Sequence, residues 1–322
     1  MKFFEPITLS KLLTALNAVP YEIIGDSNIS VSGLDDYRVV LPGELTWVDY
    51  APLYHEVFPT PAVVILLDSV PESIPQDKVL IVTKDPKSAF DKIAEAFYPS
   101  QFAPRSLWQR LTNPRNVLKG KNCHIHPTAS IGRDVHIGDN VTIEAHVTIY
   151  DNVYIGNDTV IRAGTVIGIQ PFAYIKQRDG HWEQRKAWGN TIILDHVDIS
   201  ALNTIERGIT GSTIIGSGTK TCSQVHIGHD TWIGSNCFLS GNVGISGYVR
   251  IKNDCTFWSR SGVANSVNIP EGTTVQSSCS VHQSVKQPGK TLAGVPAIDA
   301  EKYWRDRAVM NIIVNDYISS KE

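Results

Sequence analysis

From residue 125 onward the chain places an aliphatic side chain at every sixth position. Ile125, Ile131, Ile137, Ile143, Ile149, Ile155, Ile161 and Ile167 keep an unbroken register. After a break the register returns at Ile193, Ile199 and Ile205, and a four-residue insertion follows around Gly208–Gly211. It then runs through Ile215, Thr221, Ile227, Ile233, Leu239, Ile245, Ile251, Phe257, Val263, Ile269, Val275 and Val281, so that only Thr221 is polar among 23 positions. Glycine often follows the aliphatic residue, as at Gly138, Gly216 and Gly228, and a small or β-branched residue often sits two before it, as at Val135, Thr159 and Val225. A helix requires a spacing of 3.6 and a simple strand one of 2, and neither sustains six. The pattern predicts a solenoid of short parallel strands with aliphatic side chains stacked inward and glycine or a small residue relieving the backbone at each corner.

This hexapeptide repeat resembles the left-handed β-helix family, in which three hexads make one triangular coil. The 23 hexads then imply roughly seven to eight coils. The expected architecture is mainly β: a left-handed parallel β-helix over 123–290 with a loop insertion at 169–190. A small α/β domain precedes it over 1–100, a linker spans 101–122, and a C-terminal helix lies within 291–322. In the first hundred residues LSKLLTALN and KSAFDKIAEAF read as helices, and NISVSGL, LTWVDY, AVVILL and KVLIVTK as strands. The final helix is expected from about Asp299. Ala308, Ile312, Ile313 and Tyr317 share one apolar face there, which should dock on the solenoid or on another subunit. The insertion carries Phe172, Tyr174, Trp182 and Trp188, and reads either as a binding-site lining or as an interface-packing loop.

Composition narrows the function classes. A chain of 322 residues with 42% hydrophobic and 19% charged residues has material for a real core. With 29 basic and 32 acidic residues there is no bulk basic field, so nucleic acid is not an expected partner. No apolar run approaches a membrane span and no secretory leader is evident, so a cytoplasmic location is expected. The five cysteines include no CxxC pair, and Cys123, Cys237, Cys255 and Cys279 each fall two residues before a repeat position, where they pack as small hydrophobes. No two of the ten histidines are five apart, so the H-x4-H pair of a β-helical metal site is missing and no metal is expected.

The chemistry concentrates in VHIGHD. His226 and His229 flank the inward Ile227, and His229, two residues past it, should project outward near a corner. A neutral imidazole in that place is a general base near neutral pH. Gly247 lies eighteen residues, one coil, further on, so that its N–H beside the base is a plausible oxyanion donor.

Read in order, IHPTASIG, the TVIG before the aromatic loop, TIERGITGSTIIG, VHIGHD and the terminal GVP before a helix resemble the UDP-3-O-(3-hydroxyacyl)glucosamine N-acyltransferase family of lipid A biosynthesis. GELTWV near the N-terminus is similar to the start of that family's uridine-binding domain. The resemblance covers nearly the whole chain. It implies a homotrimer with active sites in clefts between solenoids, a UDP-amino sugar acceptor, and an acyl carrier protein whose acyl-phosphopantetheine is the co-substrate, with no tightly bound cofactor. His229 matches the family's catalytic base and Gly247 its oxyanion donor. Trp47 matches the aromatic that stacks on uracil, with Tyr50 or Tyr54 completing that site. His226, Phe172 and Ser266 fall at substrate-contacting positions. Lys302, Arg305 and Met310 fall on the helix that would meet the carrier protein and the acyl channel. The chain departs from the family pattern at Ser266, where a second histidine is usual, at Cys222 and His226, and at Gln170-Pro171-Phe172-Ala173. Its first solenoid stretch is also shorter. Two other readings therefore stand beside the leading one: an acyltransferase using acyl- or acetyl-CoA or another nucleotide amino sugar, and a catalytically silent trimeric binder of nucleotide sugars.

Overall fold

The computed structural model describes residues 2–17, 19–38, 40–97, 116–176, 179–294 and 300–320. The N-terminal domain runs β1 (Lys2–Thr8), α1 (Leu9–Leu13), β2 (Tyr21–Ile24), β3 (Ser30–Leu34), β4 (Glu44–Val48), α2 (Tyr54–Val57), β5 (Val64–Leu67), β6 (Val79–Thr83) and α3 (Pro86–Phe97). Its six-stranded sheet has the order β1-β3-β4-β5-β6-β2, parallel from β3 to β6 and antiparallel at both edges. The apolar runs in β5 and β6 bury both faces. One side packs under α1 and α3 through Leu12, Phe90 and Ile93, the other under Val57 and Tyr54. The two edge strands escape the apolar-run reading because β1 is interrupted by Pro6 and β2 is largely exposed.

The solenoid follows as three parallel sheets of eight, nine and eight strands, most strands only two residues long. It is a parallel β-helix of the left-handed hexapeptide type. Its first strand, Leu118–Lys119, lies inside the stretch expected to be a linker, and its last, Thr291–Leu292, closes the second sheet. Lys119 stands at the repeat position of that first strand, which hides it from a search for aliphatic residues. Inward residues stack on their counterparts one coil later, as Ile227 does on Ile245 and Ile245 on Val263. Thr221 faces inward like the rest and is buried. Two interruptions match the two breaks in period. Ile155 pairs with Ile193 across the 169–190 insertion, and Ile193 pairs with Ile215 across Gly208–Gly211.

The corners are built differently from the expectation. The residue that turns into the left-handed region lies three past each repeat position, and it is usually not glycine. Among the described residues eighteen non-glycine residues have positive φ, including Asn140 (57°), Asp158 (54°), Asp230 (54°) and Tyr248 (59°). Asn and Asp predominate because their short polar side chains tolerate that region. The glycine directly after the repeat residue serves close approach instead: a Cβ on Gly216 would lie 2.4 Å from the backbone of Gly234 in the next coil. Side chains two past the repeat cap the neighbouring coil, as when the Asp139 N–H donates to Asn157 Oδ1 at 2.8 Å and the Arg133 N–H to Asp151 Oδ1 at 2.8 Å. All five cysteines are free; Cys237, Cys255 and Cys279 are buried and Cys222 is exposed.

The insertion at 169–190 forms a hairpin, Tyr174–Lys176 with Trp182–Gln184, and then locks the two domains together. Trp188 is buried in the α1/α3 side of the N-terminal core. Arg185 lies 5.7 Å over the Trp47 ring with its guanidinium 3.6 Å from Asp91, and Lys186 pairs with Glu95. The C-terminal helix α4 (Ala300–Ser319) carries exposed Trp304, Met310, Ile312, Ile313 and Tyr317. Its apolar face therefore does not dock on this chain's solenoid. Among the described residues no helix is long and apolar enough to cross a membrane.

Trp188→Ala is expected to lower the stability of the N-terminal domain by about 3 kcal/mol, the cost of emptying a large buried aromatic site. Calorimetry should show the domain's transition moving down while the solenoid's stays; coincident shifts of both would show that the two unfold as one unit.

Candidate active site

His229 leaves the third sheet at the corner after the strand His226–Ile227. At this corner the slot that holds a capping Asp or Asn in coils such as those of Asp151 and Asn157 carries an imidazole, and its environment is built from four segments. The His229 ring rests on Gly247: a Cβ there would lie 2.7 Å from both Cε1 and Nε2. Tyr248 meets the ring edge-on at 5.0 Å and 89°. Nδ1 lies 3.0 Å from Asp230 Oδ2, and the His229 side chain is 14% exposed against 2% for Asp230. A carboxylate only accepts, so Nδ1 carries the proton and Nε2 keeps a free lone pair.

Asp230 is held in turn. The Ile209 N–H donates to its Oδ2 at 2.8 Å and the Gly211 N–H to its Oδ1 at 3.3 Å. The four-residue insertion thus exists in the fold as the loop that seats this carboxylate. Glu206, the acidic residue of the ERG segment, is buried and accepts two backbone donors, the Phe172 N–H at 2.9 Å and the His229 N–H at 3.0 Å. It clamps the aromatic loop to the histidine corner. Arg207 fixes the same turn by donating from Nε to the Gly168 carbonyl at 2.9 Å and from Nη2 to that of Asp151 at 2.6 Å.

A cleft of about 570 Å³ opens beside Nε2, lined by Phe172, Glu206, His226, His229, Asn265 and His282 among others. Its floor is the outer face of the third sheet, where His226, Gly244, Gly262 and Ser280 are successive rung neighbours. The two central glycines leave that floor without side chains. Phe172 is 85% exposed at the rim and stands 5.0 Å from Tyr174.

The remaining expected residues distribute as follows. Gly247 is under the imidazole as expected, but its N–H already donates to Asn265 Oδ1 at 3.0 Å, so an oxyanion must compete with that amide. Ser266 does not line the cleft. It sits three past Val263, at the left-handed corner (φ 61°), which turns it round to the N-terminal domain, where Arg38 Nη1 donates to its Oγ at 2.8 Å. Trp47 is half-buried, packed 6.4 Å from Phe90 and overlain by Arg185. Tyr54 is a core residue: its ring stacks on Phe58 at 5.3 Å and its hydroxyl donates to Asp68 at 2.5 Å. Burial and that carboxylate raise the Tyr54 pKa, which keeps the phenol a donor. Tyr50 is exposed, and neither it nor Trp47 nor Tyr54 reaches the cleft. Arg305 and Met310 lie exposed on α4, and the Lys302 side chain lies outside the described residues. Among the described residues no group of three or more His, Cys, Asp or Glu is placed to hold a metal.

Asp230 is a residue of the candidate site that the sequence reading did not single out. Its signal was the HD dipeptide, masked because Asp230 occupies a corner slot where Asn and Asp are the structural norm.

Residues 134–168 match the family model described as bacterial transferase hexapeptide (six repeats). A UDP-3-O-acylglucosamine N-acyltransferase from Coxiella burnetii (strain RSA 493 / Nine Mile phase I) is 27% identical, covering 94% of this chain and 92% of that protein. One from Methylobacterium nodulans is 32% identical over 49% of this chain, an alignment that spans 44% of the relative's own length. A solved UDP-N-acetylglucosamine acyltransferase from Bacteroides fragilis 9343 has a TM-score of 0.47 and 25% identity, covering 56% of this chain and 68% of that one. The chain carries hexapeptide repeats and is similar along almost its whole length to proteins named UDP-3-O-acylglucosamine N-acyltransferase, the family that its motifs resemble.

Gly247→Ala is expected to push the imidazole off its seat and break the contact with Asp230. The His229 ¹⁵N chemical shifts would report this as loss of the single Nδ1–H tautomer. Unchanged shifts would show that the ring's position does not depend on the glycine.

Proposed function

We propose that this chain is an N-acyltransferase that moves a (3-hydroxy)acyl group from an acyl carrier protein to the 2-amine of a UDP-3-O-acylglucosamine-like sugar, with His229 as general base. The observation that carries this reading is the His229–Asp230 pair, its free Nε2 at the edge of a glycine-floored cleft. The names of the full-length relatives support the choice of acceptor.

In the proposed reaction the sugar amine attacks the thioester carbonyl and a C–N bond forms. Nε2 of His229 takes the amine proton, and Asp230 stabilises the resulting imidazolium. The carbonyl oxygen becomes an oxyanion that recruits the Gly247 N–H in place of Asn265. Collapse of the tetrahedral intermediate breaks the C–S bond, and the imidazolium returns its proton to the phosphopantetheine thiolate. The side-chain-free strip over Gly244 and Gly262 is the surface along which the pantetheine or acyl arm would lie. No bound cofactor enters this scheme; the phosphopantetheine arrives with its carrier protein, and both belong to the cytoplasm in this reading.

The homotrimer in this proposal is supported by the outer face of the first sheet. Leu118, Tyr154 and Trp232 are exposed there, in a rung column that also holds Ile192 and Ile214. His136 separates Leu118 from Tyr154 in that column, so the unbroken apolar run is Tyr154, Ile192, Ile214 and Trp232, a patch that suits a second copy. The exposed apolar α4, with Arg305 on it, is the proposed contact for the acidic carrier protein.

The test incubates purified protein with a 3-hydroxyacyl carrier protein and UDP-3-O-acylglucosamine and follows product by mass spectrometry. His229→Ala is expected to lower turnover by at least about a hundredfold with the fold intact. Asp230→Asn is expected to retain binding and lose turnover, because an amide no longer enforces the tautomer. Near-normal turnover in His229→Ala would remove the general-base role. A folded wild-type protein that turns over only with acetyl-CoA, or not at all, would move the assignment to another donor or to a silent binder.

A further inference from the structure

The loop that seats Asp230 is itself gripped from the far side by the N-terminal domain. Thr210 stands between Ile209 and Gly211, the two residues whose N–H groups hold the Asp230 carboxylate. Its hydroxyl donates to Asp35 Oδ1 at 2.9 Å, a contact between residues 175 positions apart. Gly211 is pinched between the two carboxylates: a Cβ there would lie 3.1 Å from Asp35 Oδ2 and 3.2 Å from Asp230 Oδ1. The same N-terminal segment reaches the other side of the imidazole. Asp36 binds Arg38 through Nε at 2.7 Å and Nη2 at 3.0 Å, and the guanidinium lies 4.1 Å over the ring of Tyr248, which meets His229 edge-on. The loop Asp35–Arg38 therefore touches both walls of the catalytic corner without touching the base.

We infer that Asp35 and Thr210 are positioning residues for the acyl-transfer reaction: Asp35, from the N-terminal domain, fixes through the Thr210 hydroxyl the loop whose backbone orients Asp230, and hence the His229 tautomer. The inference rests on the reading of His229 as general base. It gives the N-terminal domain a part in the chemical step beyond any part in holding the nucleotide. The physical reason is the direction of the donors. The Ile209 and Gly211 N–H groups aim at Asp230 only while the peptide units on either side of Thr210 hold their orientation. Backbone bonds of Gly208, Ile209 and Gly211 tie this short loop to residues 188–190 within the solenoid, and the Thr210 side chain is its anchor to a separate folded unit. Releasing the anchor lets the donors swing, Asp230 drift, and the imidazole sample the tautomer with the proton on Nε2, which cannot accept the amine proton.

The experiment compares wild type, Thr210→Val, Thr210→Ser, Asp35→Ala and His229→Ala as full-length proteins. Each is assayed for kcat and KM with the carrier-protein thioester and UDP-3-O-acylglucosamine, and the His229 tautomer is read from ¹⁵N shifts, assigned by the signal missing in His229→Ala. Thr210→Val and Asp35→Ala are expected to lose about tenfold in kcat with KM for the sugar nucleotide changed by less than about twofold. The His229 signals should move from one tautomer to a mixture, and Thr210→Ser should restore both readouts. If Thr210→Val fails to fold, Asp35→Ala and Thr210→Ser carry the comparison. Wild-type kcat and a single tautomer in Thr210→Val and Asp35→Ala, with His229→Ala inactive, would overturn the inference while leaving the base in place. An active His229→Ala would overturn the base itself, and the inference with it.

Discussion

The seat of His229 follows from the vertical register of the solenoid. Each residue lies over the one at the same place in the next coil, held by ladder bonds such as that from the Gly228 N–H to the Ile245 carbonyl at 2.8 Å. This fixes which side chains meet. His229 lies on Gly247, Gly247 is capped by Asn265, and Tyr248 lies between Asp230 and Ser266 in the corner column. Only a residue without a Cβ leaves room for an imidazole flat against the rung below. An aliphatic core of Ile, Leu and Val buried to within a few per cent makes this register rigid. The precision of the site is thus inherited from packing that takes no part in the chemistry.

The site is also where the regular pattern is broken. The side chain in the capping slot at the corner of His229 is neither Asn nor Asp, and the cap for its N–H comes from Glu206, at the end of the strand just before the four-residue bulge. The four-residue bulge supplies donors for Asp230, and the long insertion supplies Phe172 at the rim. Both interruptions occur within the coils just before His229, so the deviations and the base arrive at one corner together. Charge gathers there too. Desolvation raises the Asp35 pKa, and the neighbouring Asp230 adds to it. Burial lowers the Arg250 pKa, which Asp230, Asp35 and Asp36 resist. Burial, with Asp230 and Asp36, holds Tyr248 well above the usual phenol range, so it stays neutral against the imidazole.

What the sequence disclosed was whatever depends on periodicity. Eight isoleucines at a spacing of six specify inward columns, and a spacing of eighteen residues places Gly247 against His229 before any coordinates are known. Corner residues were harder to read. Asp230 looks like one more Asx turn, because ten of the eighteen non-glycine left-handed residues are Asn or Asp. Ser266 occupies the same kind of slot, which aims it at Arg38 and away from the cleft. In the N-terminal domain the resemblance matched Trp47, with Tyr50 or Tyr54, to a uracil site; in the structure Tyr54 packs on Phe58 and bonds Asp68, and Trp47 lies against Phe90 and Arg185. Period has nothing to say about a contact such as Thr210 with Asp35, which depends on how two separately folded units dock.

The shape of the cleft bears on why an acyl transfer suits this corner. In the proposed reaction two large substrates would meet at one nitrogen, and each would need an approach that does not cross the other. From His226 to Ser280 the floor spans three rung spacings at about 4.8 Å, roughly 14 Å, with glycine at both middle rungs. A flexible thioester arm laid along that strip would run parallel to the solenoid axis and present its carbonyl at the His229 end. The N-terminal domain stands on the other side of the same corner, through Arg38 and Asp35. An acceptor arriving from that side would meet the thioester at Nε2 without sharing the strip. On this geometry the proposed base is suited to a corner, where the flat face that would receive an extended arm gives way to the side that a second domain can cover.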